Sequence, residues 1–164
     1  MFGFSIKRLI KKEIRKALSP SKKNTGFKRK TVVVRQSATV SETIVSTTPF
    51  SGKCHVIDGD TIVVRGQKIR FAGVNAPELN EAYGQKAKWG LVKLCKGKEI
   101  TVLPNGETSY DRIVATCFLP DGTDLGGEMI RLGMALDLPK FSGGKYQHLE
   151  TDEARRTLKR RPYR

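Results

Sequence analysis

The chain is short of acid. Only 16 Asp and Glu stand against 31 Lys and Arg, which leaves a net charge of +15 on 164 residues. Charge of this sign points to a polyanionic partner, nucleic acid first and an anionic membrane surface second. A solubility charge with no specific partner is the plain alternative. Cysteine is scarce too: Cys54, Cys95 and Cys117 are odd in number and show no C-x-x-C spacing. That excludes a disulfide framework and a zinc site, and leaves three small core residues. The two histidines, His55 and His148, have no ligand spacing and receive no catalytic role. The hydrophobic fraction of 38% is low for a compact globule, and the deficit is concentrated at the N-terminus.

Residues 1–51 hold about +10 of the excess charge and read as a basic arm ahead of a folded domain at 52–164. Within the arm, Phe2, Ile6, Leu9, Ile10, Ile14 and Leu18 fall on one stripe of a helical pattern. Lysines and arginines cover the opposite face, and Ser19-Pro20 stops the pattern. The pattern has no continuous apolar stretch, so neither a membrane span nor an ordinary signal peptide is expected. Three readings stand for residues 2–18: a helix on an anionic membrane, extra phosphate contacts on nucleic acid, or a loosely helical tail. A cytoplasmic location, or a peripheral one on a membrane, is the matching expectation. Residues 19–51, rich in Ser, Thr and Lys, read as a flexible linker.

What is there in strength is β-branched residues in short runs. Between Cys54 and Glu78, Val56-Ile57, Ile62–Val64 and Ile69–Val74 are separated by Asp58-Gly59-Asp60-Thr61 and by Arg65–Lys68. This predicts antiparallel hairpins. A helix is expected from Asn80 or Glu81, with Tyr83, Ala87, Leu91 and Leu94 on its buried face. Gly97 closes it, and Trp89 lies off the stripe and partly exposed. Glu99–Leu103 and Arg112–Leu119 are the fourth and fifth strands, with a loop from Pro104 to Tyr110. Leu125–Leu132 and Gln147–Arg160 are further helices. Arg155, Arg156, Arg160 and their neighbours make the last one very basic, as a phosphate-tracking surface or a solvated face. The fold class is α+β, mainly β. Five strands with a helix after the third are consistent with an oligonucleotide-binding (OB) barrel flanked by about three helices. Acids at two strand breaks and Arg70 inside an apolar strand are the ingredients of metal-assisted phosphoryl chemistry.

Four groups of residues now occur in order: Asp58-Gly59-Asp60-Thr61, Ile69–Glu78 (IRFAGVNAPE), Tyr110-Asp111-Arg112, and Leu132-Gly133-Met134-Ala135. Together they closely resemble the thermonuclease, or staphylococcal nuclease-like, domain over roughly residues 52–160. The resemblance implies an OB barrel and calcium-dependent, sequence-nonspecific cleavage of DNA and RNA. Single-stranded nucleic acid is the expected partner, and a monomer the expected state. It also implies roles for particular residues. Asp60 would be the main carboxylate on Ca²⁺, with Asn75 at the second ligand position and the Ala76 backbone carbonyl completing the set. Asp58 would support them from behind. Glu78 would orient or deprotonate the attacking water, Arg70 and Arg112 would bind the phosphate, and Tyr110 would contact the nucleotide.

The residue chemistry is compatible with those roles. Ca²⁺ takes oxygen ligands, and the planar guanidinium fork matches phosphate oxygens. Two positions depart from the pattern. Asn75 stands where the family has Asp, which removes one negative charge and predicts weaker metal binding. Asp111 replaces a glycine and would either pair with Arg112 or face solvent. The sequence therefore carries two readings: a nuclease, or a barrel that binds nucleic acid or a protein partner without cutting.

Overall fold

The computed structural model describes residues 47–160, so the expected N-terminal helix and most of the linker lie outside the described residues. Among the described residues there are seven strands: β1 Phe50–Val56, β2 Thr61–Val64, β3 Gln67–Phe71, β4 Val74–Asn75, β5 Glu99–Ser109, β6 Arg112–Phe118 and β7 Leu136–Asp137. The helices are α1 Gly84–Cys95, α2 Leu125–Arg131, α3 Pro139–Ser142 and α4 Asp152–Thr157, with a 3₁₀ turn at Gln147–Leu149. Five strands close into a barrel in the order β1-β2-β3-β6-β5. All ladders are antiparallel except β3 with β6. This is the OB architecture, with α1 inserted after the first four strands.

The first hairpin turns at Ile57–Asp60, where Asp58 Oδ1 accepts the Asp60 N–H at 3.0 Å and fixes the bend. The second needs only two residues. Arg65 and Gly66 have φ of 51° and 77°, and Val64 pairs directly with Gln67. Both positive angles match the twist of the flanking strands. The expected four-residue turn is therefore shorter, and Gln67 and Lys68 belong to β3.

The expected strand Ile69–Val74 is broken. Gly73 has φ 69°, and a Cβ there would lie 2.5–2.9 Å from Ser142 atoms. The chain turns at Gly73, and Val74-Asn75 pairs instead with Asp137-Leu136. The segment Pro104–Tyr110, expected as a loop, continues β5 to Ser109 across a bulge between Pro104 and Thr108. Gly106 (φ 88°) and the Asn105 side chain, which accepts the Glu107 N–H at 3.0 Å, shape that bulge.

Helix α1 starts at Gly84 rather than at residue 80 or 81. Residues 78–83 are spent on consecutive turns, with Glu81 N–H on the Glu78 carbonyl and Gly84 N–H on the Glu81 carbonyl. Tyr83 precedes the helix, exposed and at φ 69°, so the buried stripe runs Gly84, Ala87, Leu91, Cys95. This stripe packs on the barrel with α2 residues Leu125, Met129 and Ile130. Asp124 caps α2 through Oδ1, which accepts the Gly126 and Gly127 N–H groups at 3.0 and 3.3 Å. Its Oδ2 takes Lys145 Nζ and the Tyr146 hydroxyl at 2.8 Å each.

The long C-terminal helix is absent as one element. The 3₁₀ turn ends at Glu150, and Thr151 caps the six-residue α4. Arg155 and Arg160 are not both free for phosphate, because each pairs with the Glu150 carboxylate, at 3.0 and 2.7 Å. That carboxylate is 1% exposed and also accepts the Asp137 N–H at 2.8 Å. The C-terminal segment is thus strapped across β7. Among the described residues no helix is long and apolar enough to cross a membrane.

Candidate active site

The site forms where β2, β3 and β4 meet. Asp60 ends the first hairpin turn and is buried, at 5% exposure. Its Oδ1 accepts Arg70 Nη1 at 2.6 Å and the Thr61 hydroxyl at 3.0 Å. Its Oδ2 accepts the Ala76 N–H at 3.1 Å. Arg70 reaches Asp60 because β2 and β3 pair Thr61 with Arg70. Arg70 Nη2 donates to the Val74 carbonyl at 3.2 Å, which ties the guanidinium to β4 as well. The break at Gly73 that the strand pattern did not reveal is what brings Val74, Asn75 and Ala76 back towards Asp60.

Close packing holds the turn itself. A Cβ on Gly59 would sit 2.6 Å from the Ala76 Cβ and 2.8 Å from the Ala87 Cβ. Asp58 lies behind Asp60, and its carboxyl is raised above the ordinary range by burial first and by the Asp60 charge second. Asn75 is buried at 4% exposure, and its Nδ2 donates to the Lys159 carbonyl at 3.1 Å.

The other expected residues belong to neighbouring elements. Glu78 is exposed on the turn before α1, and the Glu81 carboxylate accepts its N–H at 2.8 Å. Arg112 and Tyr110 belong to the β5–β6 hairpin, where Ser109 pairs with Arg112. Arg112 bonds the Ser109 carbonyl and hydroxyl, both at 3.3 Å, and its guanidinium carbon sits 5.8 Å from the Tyr110 ring centre. Tyr110 is 87% exposed and available to stack. Asp111 does not take Arg112 away: it pairs with Lys68 at 2.5 Å, and that ion pair lowers its carboxyl.

Arg70 and Ser109 share the wall of a cavity of about 240 Å³, with Glu107, Thr108 and Phe141. The sequence pattern assigned Glu107 and Thr108 to a loop and offered no sign that the bulge would bring them beside Arg70. Thr61 was legible only as part of the Asp-Gly-Asp-Thr string, and the roles of the Val74 and Lys159 carbonyls are backbone features without a residue signature.

The donor atoms suit a hard cation. The Asp60 carboxylate, the Asn75 amide oxygen and the Ala76 carbonyl are all oxygen donors, and the Ala76 N–H binds Asp60 Oδ2. Among them only Asp60 is charged. No group of three or more His, Cys, Asp or Glu that could hold a metal exists among the described residues.

Comparison with known proteins agrees with this architecture. The family model described as "Staphylococcal nuclease homologue" matches residues 68–161. The chain is 31% identical over 104 residues to an "Uncharacterized endonuclease" of Escherichia coli, covering 61% of this chain and 68% of that protein. It is 32% identical over 109 residues to "Succinoglycan biosynthesis protein ExoI" of Rhizobium meliloti (strain 1021), covering 60% and 57%. It is 32% identical over 77 residues to "Probable staphylococcal-like nuclease CAN1" of Oryza sativa subsp. japonica, covering 47% and 23%.

Proposed function

The chain belongs to the staphylococcal nuclease homologue family, and from that membership we propose that it is a sequence-nonspecific, Ca²⁺-dependent nuclease acting on single-stranded DNA or RNA. The observation that carries the reading is the Arg70–Asp60 pair, locked at 2.6 Å beside the cavity that also holds Ser109, the partner of Arg112. One guanidinium, Arg70, lines that cavity, and a second, Arg112, bonds Ser109 in its wall; the guanidinium fork suits a phosphodiester.

In this reading Asp60, Asn75 and the Ala76 carbonyl hold the cation, with Asp58 behind them. When bound, the cation neutralises charge on the phosphate oxygens. Arg70 and Arg112 grip those oxygens and stabilise the charge that grows as the bond to the leaving oxygen breaks. Glu78, exposed to solvent, orients a water and accepts its proton. Tyr110 stacks on the nucleotide. The basic arm, residues 1–51, concentrates the enzyme on its substrate, or on an anionic membrane through residues 2–18.

The test is cleavage of labelled single-stranded oligonucleotides across a calcium series, with an EDTA control and the Glu78→Gln variant. Metal-dependent cleavage that disappears in Glu78→Gln is expected, and full activity in that variant refutes the assignment. The second reading, a module that binds without cutting, is favoured by the neutral Asn75 amide, buried where a carboxylate would add charge for a cation. Salt-sensitive binding with no cleavage at any calcium level would select it.

A further inference from the structure

A second cleft, of about 640 Å³, shares no lining residue with the cavity beside Arg70. It runs between β1 and α1. Its rim carries Lys53, Lys88, Lys96 and Lys98, its floor is apolar, and Trp89 stands in its wall. None of the four lysines is in an ion pair among the described residues. The one acid facing them in register is Glu99, across the β1–β5 ladder from Lys53. Trp89 is 63% exposed, because α1 buries Ala87, Leu91 and Cys95 and turns position 89 away from the barrel. An exposed indole among four lysines that outnumber the one facing acid, over an apolar floor, combines the two elements that hold a single strand: a stacking platform and phosphate-binding charge.

We infer that this cleft is a second binding site for single-stranded nucleic acid, in which a base stacks on Trp89 and the flanking phosphates lie against Lys53, Lys88, Lys96 and Lys98. A concave site suits a strand and not a flat bilayer, which cannot enter it. The cleft also adjoins the catalytic turn. Val56, in its lining, is two residues before Asp58. Lys88 follows Ala87, the residue packed under Gly59. One strand can therefore occupy the catalytic site and continue into the cleft. The choice of ligand rests on the nucleic-acid reading above, but the site does not depend on hydrolysis.

The chain has one tryptophan, so its emission reports on this cleft alone. Full-length protein in EDTA is titrated with a twenty-nucleotide oligothymidylate while fluorescence and the anisotropy of a labelled copy are followed. Saturable quenching is expected. Lys88→Glu with Lys96→Glu should weaken it by about tenfold or more. It should also reduce the log–log salt slope by about 0.7 for each phosphate that is no longer neutralised. By anisotropy, Trp89→Phe should keep most of the affinity, and Trp89→Ala should lose about tenfold. Cleavage of a dinucleotide in calcium should be unchanged in the lysine variant, since it spans only the catalytic site. A protein that cuts nothing would still show the quenching, so failure of the nuclease reading remains separable. Oligonucleotide binding that leaves Trp89 emission unchanged would overturn the inference. So would quenching that the lysine substitutions do not alter, or quenching by phosphatidylserine vesicles or an acidic protein but not by the oligonucleotide.

Discussion

Restoring the missing carboxylate, by Asn75→Asp, should trade stability for calcium affinity. Asn75 is 4% exposed and donates through Nδ2 to the Lys159 carbonyl at 3.1 Å. Aspartate has no donor at that position, so a carboxylate would face a carbonyl oxygen. It would also add negative charge beside the Asp60 and Asp58 carboxylates. Leaving a buried polar group unmatched costs about 1–3 kcal/mol. For a folded part of this size, each kcal/mol corresponds to about 4–8 °C in melting temperature. In EDTA the variant should therefore melt on the order of 10 °C below the parent. Calcium should reverse the order. A second charged ligand should raise affinity by at least the 10–100-fold that even indirect partners contribute. A ligand at one hundred times its dissociation constant stabilises by about 2.7 kcal/mol. Thermal melts of both proteins across a calcium series give the result without any activity measurement. If the variant melts like the parent in EDTA and calcium shifts both equally, position 75 is not a calcium ligand and the reasoning fails.

Three further outcomes follow from the geometry. Arg70→Ala removes the guanidinium from a carboxylate only 7% exposed, and should cost about 3–5 kcal/mol as well as abolishing cleavage; a parent-like urea midpoint would refute the buried-pair argument. Gly84→Ala places a Cβ 1.8 Å from the Glu78 carbonyl oxygen and must displace that turn, so cleavage should fall about a hundredfold while circular dichroism keeps a folded spectrum. Glu150 governs the acid limb of stability. Burial pushes its carboxyl up, but hydrogen bonds from Arg160, the Asp137 N–H and Arg155 prevail and hold it below its ordinary 4.5. The unfolded chain then takes up that proton more readily than the folded one, so this stability is present at neutral pH and lost as pH falls below about 4.5. Glu150→Gln should melt lower at pH 7 and show a flatter decline on acidification; an unchanged acid limb would assign it to other carboxylates.

Hairpins and helix faces were legible in the sequence because they depend on local chemistry. Asp58-Gly59-Asp60 and Arg65-Gly66 make tight turns wherever they stand, and the Ala87–Leu91 spacing buries one helical face whatever lies beneath it. The ordered motifs placed Asp60 at a strand break and Arg70 and Arg112 within strands, and the fold keeps those positions. Tertiary structure decided the rest. The run Ile69–Val74 reads as one strand, but Ser142 packs against Gly73 and β7 captures Val74-Asn75, which turns Ala76 onto Asp60. Asn105 to Thr108 reads as loop, but β6 offers a ladder long enough to keep it paired through a bulge. Asp111 could have neutralised Arg112, and it is Lys68, 43 residues away, that takes it instead. The basic C-terminus looked like a free cationic face until Glu150 claimed Arg155 and Arg160. For Gly73 and Asp111 the deciding partner is distant in the chain, and for Arg155 and Arg160 it is an acid 5 and 10 residues away, before the cap of the last helix. Periodicity and turn chemistry report only on neighbours, so these outcomes awaited the closing of the barrel.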